Sequence, residues 1–347
     1  PLHVSIFVGG PPSHTFAAVM PLPEGLSELT FAGALGGRRF RYKHRDGHVL
    51  SSDADFVITG KVYPGENKPE GPFGDHLGYY SLKHDFPLMK VDQVYHRKNA
   101  IWPFTVVGRP PQEDTSFGNL IHEITGDIIP SEIPGLHEVN AVDEAGVHPL
   151  LFALGSERYT PYYEITQPAE LLTIANHILG FGQMSLAKFL WIAAKDDDPS
   201  LTVNHKERFF THMLSRVNWE RDLHFQTKTT IDTLDYSSEG LNAGSKVVIA
   251  AVGDPIRNLA KEKPANLPNL IGVKSISLAY PGVLAFKMDA FKNYEQAKME
   301  IDAVSGTLSA SDLDLNAYPL ILICDDDEFV AKRFANLIWS TFTRANP

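Results

Sequence analysis

Residues Leu2–Val8 form an apolar, β-branched run that stops at Gly9-Gly10-Pro11-Pro12, a strand followed by a turn. Pro12 can open a helix through Ala17 and Ala18. Ser27 is placed to cap a second helix that runs to Leu35 and ends at Gly36-Gly37. From Arg38 to Thr115 short alternating runs succeed one another, at residues 40–44, 56–62, 89–95 and 101–107, with Pro, Gly, Asn and Asp between them. This spacing suits an antiparallel sheet or barrel. After Gly118 the pattern changes. Residues 171–179 read as a helix, 188–194 as a short apolar strand, 208–217 as an amphipathic helix and 246–252 as a buried strand. Strands alternating with helices predict an α/β layer with a mostly parallel sheet.

The pattern also echoes itself. Phe189-Leu190-Trp191-Ile192 precedes Asp196-Asp197-Asp198 and a helix carrying Phe209, Phe210, Met213 and Leu214. Leu320-Ile321-Leu322-Ile323-Cys324 precedes Asp325-Asp326-Asp327 and a helix carrying Phe334, Leu337 and Ile338. A strand, three aspartates and a helix occurring twice suggest a duplicated α/β half-domain, although an α/β protein can place Asp at a strand end for other reasons. The Lys-, Pro- and Asn-rich stretch 261–268 reads as the linker between the copies.

Composition narrows the class. At roughly 150 residues per domain, 347 residues suggest two or three domains. Apolar residues make up 43% and charged residues 21%, which excludes a disordered or collagen-like chain. The net charge of −11 argues against a nucleic-acid partner. Cys324 is the single cysteine, so the chain can form no internal disulfide; a reducing, cytoplasmic setting is expected. No apolar run is long enough for a membrane span. Residue 1 is Pro rather than Met, and both ends read as cuts within a longer polypeptide.

Several familiar signatures fail. Gly240 to Lys246 has one residue too few between its glycines for a phosphate-binding P-loop, and its Lys comes one position late. His122-Glu123 lacks the second His of a zinc protease. Leu201 stands where a calcium loop starting at Asp196 needs Gly. There is no GxSxG.

The densest chemical cluster is Glu70-Gly71-Pro72-Phe73-Gly74-Asp75-His76-Leu77-Gly78-Tyr79-Tyr80. It sets two carboxylates, Glu70 and Asp75, on a loop stiffened by proline and opened by glycine. Paired carboxylates in a partly dry pocket repel, so one can hold a proton and serve as a general acid; a hairpin turn with solvated charges fits the same string. In Met20-Pro21-Leu22-Pro23-Glu24-Gly25-Leu26-Ser27-Glu28, Glu28 falls in the first turn of a helix. There it could favour the helix dipole or offer a hard oxygen to a divalent ion. Gly244-Ser245-Lys246 offers N–H donors, a hydroxyl and a cation to a phosphate, or forms an ordinary loop–strand junction. Gly108-Arg109-Pro110-Pro111-Gln112-Glu113-Asp114 reads as a rigid turn before a helix near residues 119–124.

In this order the clusters resemble the UbiD family of prenylated-FMN-dependent decarboxylases, the 3-octaprenyl-4-hydroxybenzoate carboxy-lyase group. EGPFGDHLGYY is the most specific string, joined by MPLPEGLSE, GRPPQED and GSK. The resemblance runs from Val4 to about Val252, and the second aspartate unit matches a longer branch with a duplicated C-terminal segment. It implies a mixed α/β fold: a split β-barrel flavin-binding domain over 1–125, an α/β domain over 126–262, and a second α/β unit over 263–347. It implies prenylated FMN, a manganese or magnesium ion, and a potassium ion. Glu70 and Asp75 match the acidic members of the catalytic set, and Glu28 matches the metal ligand. Ala18 and Met20, with Pro21 beside them, match the carbonyl environment of potassium and cofactor; Lys246 matches a phosphate contact. The expected activity is reversible, non-oxidative decarboxylation of an aromatic or α,β-unsaturated acid, with a polyprenyl-hydroxybenzoate of ubiquinone biosynthesis as one candidate and Asp75 protonating the product carbon. A UbiX-like flavin prenyltransferase would supply the cofactor, and the chain would form a homo-oligomer. The family's Asn and His metal ligands, and the Arg between them, lie upstream of the first strand and have no counterparts here. The alternative is accordingly a non-catalytic or cofactor-free UbiD-like assembly subunit.

Overall fold

The computed structural model describes residues 1–238 and 240–347 and divides them into two compact units: residues 1–108 with 112–121, and residues 109–111 with 122–347. The fold is mixed α/β with several sheets.

In the first unit β1 (Leu2–Val8) leads to α1 (Pro12–Val19) and α2 (Glu28–Leu35). A hairpin of β2 (Tyr42–Arg45) and β3 (His48–Ser51) comes next, then the long strands β4 (Phe56–Glu70) and β5 (His84–His96). β4 lies between β1 and β5, antiparallel to both, with Thr59 opposite Ser5 and Gln93. The turn after β1 requires its glycines. Gly9 has φ +71°, and a Cβ there would lie 2.5 Å from the Asp55 carboxylate. That carboxylate is a junction: it accepts the N–H groups of Gly10 (2.7 Å) and Ile101 (3.0 Å) and the Arg97 Nε–H (2.7 Å). The Ile101 amide above all, then Gly10 and Arg97, hold the Asp55 carboxyl below its ordinary range against the cost of burial.

The expected strand at 101–107 does not form. Pro103 removes a ladder donor from its middle, and Ile101, Trp102, Phe104 and Val106 are exposed. The helix expected near 119–124 begins earlier, as α3 (Glu113–Thr125).

The second unit opens with α4 (Ile129–Glu132). Its main body is β6 (Leu136–Ala141), β7 (Leu150–Gly155), α5 (Glu170–Leu179), β8 (Phe189–Ala194), α6 (Lys206–Arg216), β9 (Leu223–Thr229) and β10 (Gly244–Ala251). The sheet order is β6-β7-β8-β10-β9, with β7, β8 and β10 parallel and both edge strands antiparallel. Alternate residues of the central strands enter two cores. Phe152, Trp191 and Ile249 pack with Phe209, Phe210 and Met213 of α6, and the Trp191 and Phe210 rings stack 5.0 Å apart. Leu151, Ile192 and Val248 pack with Leu171, Ile174 and Ile178 of α5. Burial on both faces is why these strands read as unbroken apolar runs.

A smaller sheet completes the unit: β11 (Ser275–Tyr280), β12 (Val283–Lys287), α7 (Tyr294–Ser309), β13 (Leu320–Cys324), α8 (Asp327–Ala331) and α9 (Phe334–Arg344). β11 is antiparallel to β12, and β12 is parallel to β13. This is the path of β6-β7-α5-β8-α6 traced again. The hairpin β11–β12 turns at Pro281-Gly282, a signal the periodicity reading passes over. Val283 and Ala285 join the first core, with Leu337, Ile338 and Phe342 of α9; Leu284 and Phe286 face Val304 and Leu308 of α7. The connector Arg109–Pro111 is also held here. The Arg109 guanidinium donates to Asn336 Oδ1 of α9 at 2.7 Å and lies 5.0 Å over the Phe329 ring.

At the carboxyl end of β8, Asp197 accepts the Gly253 N–H at 2.8 Å. Burial nevertheless pushes its carboxyl up to about 6, outweighing that hydrogen bond and Arg216. A folded-state value above the ordinary 3.8 means that the group's contribution to stability is complete below that pH and lost as pH rises through about 6. Asp197→Asn is expected to melt above the parent at pH 7.5, with the gap closing below pH 4; thermal melts at both pH values check this. No helix among the described residues is long and apolar enough to cross a membrane.

Candidate functional site

β4 ends at Glu70, opposite His84 of β5. The chain then turns through Gly71, whose φ is +89° and where a Cβ would lie 2.7 Å from the Leu82 carbonyl oxygen. Residues 73–81 close into a small loop. The Ser81 N–H donates to Phe73 O (2.8 Å), the Asp75 N–H to Tyr79 O (3.1 Å), and the Gly78 N–H to Asp75 O (2.9 Å). The Ser81 hydroxyl accepts the Phe73 N–H at 3.1 Å. Leu77 is fully buried and pins the loop. Asp75 is thereby held on a fixed backbone with its side chain 15% exposed. Its Oδ1 accepts the His76 N–H at 2.7 Å and faces His76 Nδ1 at 3.2 Å, leaving Oδ2 outside these two contacts. The Glu70 side chain is exposed and forms no hydrogen bond or ion pair with any described residue.

Glu28 is the first residue of α2. Ser27 stands at the N-cap, but its side chain makes no capping bond, so the expected cap is one of position alone. The Glu28 carboxylate is exposed and has no partner among the described residues. Ser27 and Leu29, on either side of it, line a hollow of about 700 Å³ with Gly33, Arg38, Phe40 and Tyr42. The basic and aromatic stretch Arg38–Tyr42 in an acidic chain is the signal that could have marked this hollow; periodicity alone reads it only as the start of a strand. Arg38 and Arg41 are both paired to Asp53, Arg38 at 2.9 Å. The Met20 N–H closes α1 on Phe16 O at 3.1 Å, and the Met20 carbonyl accepts the Leu22 N–H at 2.9 Å. Pro21 is exposed.

Lys246 lies in the second unit, inside β10, which begins two residues before the strand expected over 246–252, and is buried. Its ammonium donates to the carbonyls of Ser185 and of Ala187, the latter at 3.2 Å. Burial lowers its pKa to about 8. Two of its three N–H groups are thus held within the fold. The Ser245 N–H is likewise taken, by Asn346 Oδ1 at 2.9 Å.

Residues 1–110 match the family model described as the 3-octaprenyl-4-hydroxybenzoate carboxy-lyase Rift-related domain, and residues 115–251 match the model of the C-terminal domain of the same enzymes. A protein of Chlamydia trachomatis that carries no functional name is 38% identical over 349 residues, spanning all of this chain and 56% of that protein. A Chlamydia pneumoniae protein whose name makes it one of the subunits of a 4-hydroxybenzoate decarboxylase is 37% identical, over all of this chain and 55% of its own length. The chain therefore spans about half the length of these relatives. Among solved structures, the closed form of vanillic acid decarboxylase from Sedimentibacter hydroxybenzoicus superposes with a TM-score of 0.61 at 20% identity, over 90% of this chain and 58% of that one. The UbiD-class enzyme HmfF of Pelotomaculum thermopropionicum, solved in complex with FMN, gives 0.56 at 19% identity, over 79% and 58%. At these identities the structural likeness concerns the fold, whereas the two family models together take in most of the chain: it belongs to the UbiD family.

Proposed function

We propose that this chain is part of a non-oxidative carboxy-lyase that acts on an aromatic or α,β-unsaturated carboxylic acid with prenylated FMN. The observation that carries the reading is Asp75, a mostly buried carboxyl on a rigid loop five residues from an unpartnered glutamate, within a UbiD-family chain. The described residues also fit the accessory groups. Glu28 is an unpartnered hard-oxygen donor suited to a divalent ion such as manganese or magnesium. The carbonyls of Ala18 and Met20 are oxygen donors of the kind potassium takes.

When bound, the prenylated flavin supplies the electron sink that a carbon losing carbon dioxide needs and that no ordinary side chain offers. The chain's own residues handle the proton. Asp75 holds it on the oxygen not engaged by the His76 amide and returns it to the product carbon. Glu70, exposed and without a side-chain partner among the described residues, would pair with an arginine supplied from upstream of β1 and so orient and tune the site. Loss of the cofactor or of the upstream partners would give the alternative, a silent assembly subunit.

The test is to co-express the full natural polypeptide with a flavin prenyltransferase and measure exchange of ¹³C-bicarbonate into a panel of hydroxybenzoates and unsaturated acids. Flavin-dependent exchange with at least one acid is expected. A well-folded protein that retains the flavin and exchanges none would overturn the decarboxylase reading.

A further inference from the structure

The two hairpin–crossover units differ on the far side of their crossover strands. β8 is flanked by β7 on one side and β10 on the other, both parallel to it. β13 is paired with β12 alone among the described residues. Burial reflects this: five of the six residues of β8 are buried, whereas all five of Leu320–Cys324 are only partly so, although every one is apolar or Cys.

The direction of the open main chain is fixed by two hydrogen bonds. The Leu320 N–H donates to Gly282 O at 3.4 Å, and Cys324 O accepts the Met288 N–H at 2.8 Å. Residues 320 and 324 thus face β12. In a strand successive residues face opposite ways, so the N–H and C=O groups of Ile321 and Ile323 point to the open side. Along that side lies a cavity of about 520 Å³. Its walls include the apolar Ile301 of α7, Ile323 of β13, Phe329 of α8 and Trp339 of α9, and it carries charge as well, from Asp289, Glu300, Asp325, Asp326 and Arg344. This is a slot between two helical layers beside an unprotected strand edge, with no Pro, Lys or bulge on the strand to blunt it.

The first α/β unit shows what fills such a slot. β10 lies parallel to β8 and sends Val247, Ile249 and Ala251 into the core shared with α6, and Val248 and Ala250 into the core shared with α5. We infer that β13 receives, in parallel, an apolar strand from polypeptide outside these 347 residues, seated between α7 and α9 as β10 is seated between α5 and α6. The Chlamydia relatives carry much more chain than the part matched here. A second copy is the weaker occupant, because a twofold would bring β13 against itself antiparallel, whereas the internal precedent is parallel. Main-chain bonds from Ile321 and Ile323 would give affinity and the slot would give selectivity, as in strand addition generally. The inference holds whether or not the decarboxylase reading does.

Amide hydrogen exchange tests it. In the 347-residue chain the Ile321 and Ile323 amides are expected to exchange fast. In the longer natural polypeptide they should slow by about a hundredfold or more, as amides in a paired central strand do. Ile321→Pro removes an N–H that bonds nothing here, on an edge where Pro is tolerated. It should lower the melting temperature of the longer polypeptide by more than that of the 347-residue chain, and restore fast exchange at Ile323. Equal exchange in the two polypeptides overturns the inference. Protection that appears in the shorter chain only as it dimerises, monitored by light scattering, also overturns it and assigns the edge to a second copy.

Discussion

Asp75→Asn in the full-length, flavin-loaded protein is expected to lower turnover by about 10²- to 10⁴-fold, the usual worth of a positioned general acid. The amide keeps the size of the side chain, and its oxygen can still accept the His76 N–H that holds Asp75 Oδ1 at 2.7 Å. It cannot release a proton. The loop should survive, because the bonds that close it run between Phe73 and Ser81 and between Asp75 and Tyr79 through the main chain. The signature is therefore a fall in kcat with the melting temperature and flavin content unchanged, and a matching loss of solvent-deuterium incorporation into the product. Unchanged turnover and deuterium incorporation would remove Asp75 from the proton path.

The second large effect concerns stability. Lys188 and Asp235 form an ion pair at 2.8 Å with each side chain 1% exposed. The same ammonium donates to Ser237 Oγ at 2.8 Å and to the Ala345 carbonyl at 2.7 Å. Burial depresses the Lys188 pKa, and Asp235 opposes that shift. Lys188→Met leaves a carboxylate buried without its cation, a change that costs about 3–5 kcal/mol. The double variant Lys188→Met, Asp235→Leu removes both charges and should recover most of the loss. Urea unfolding of the parent, the single and the double variants checks both statements. A single variant within about 1 kcal/mol of the parent would mean that the pair is not closed off from water as described.

What the sequence disclosed depended on how many faces of an element are buried. The runs 188–194 and 246–252 are legible because both faces of β8 and β10 are covered, so apolar residues succeed one another without a break. Leu150–Gly155 has the same character and the same six-residue length as β8 and is buried throughout, yet the periodicity reading passes over it. Residues 101–107 mislead for the opposite reason: an alternating pattern predicts a strand only if a neighbour accepts it, and Pro103 and the exposed side chains show that none does. At the candidate site, the loop from Glu70 to Tyr80 stands out because its Gly and Pro spacing is unusual. Arg38, Phe40 and Tyr42 do not, because what gives them interest is the hollow they share with α2, which is a property of the fold. The burial of Lys246 under two carbonyls cannot be read from Gly-Ser-Lys, since the residues that enclose it lie about sixty positions earlier.

The grip of Asn336 on Arg109 has a practical corollary for anyone trimming this protein. A boundary drawn near residue 262 looks clean on paper, but discarding residues 263–347 would leave the Arg109 guanidinium without its acceptor and its aromatic seat. It would also strip Trp191 and Phe210 of their ring contacts with Phe342 and Phe334. A shortened version made that way is expected to expose a greasy flank and precipitate, so the smallest tractable piece of the second unit keeps its last helix.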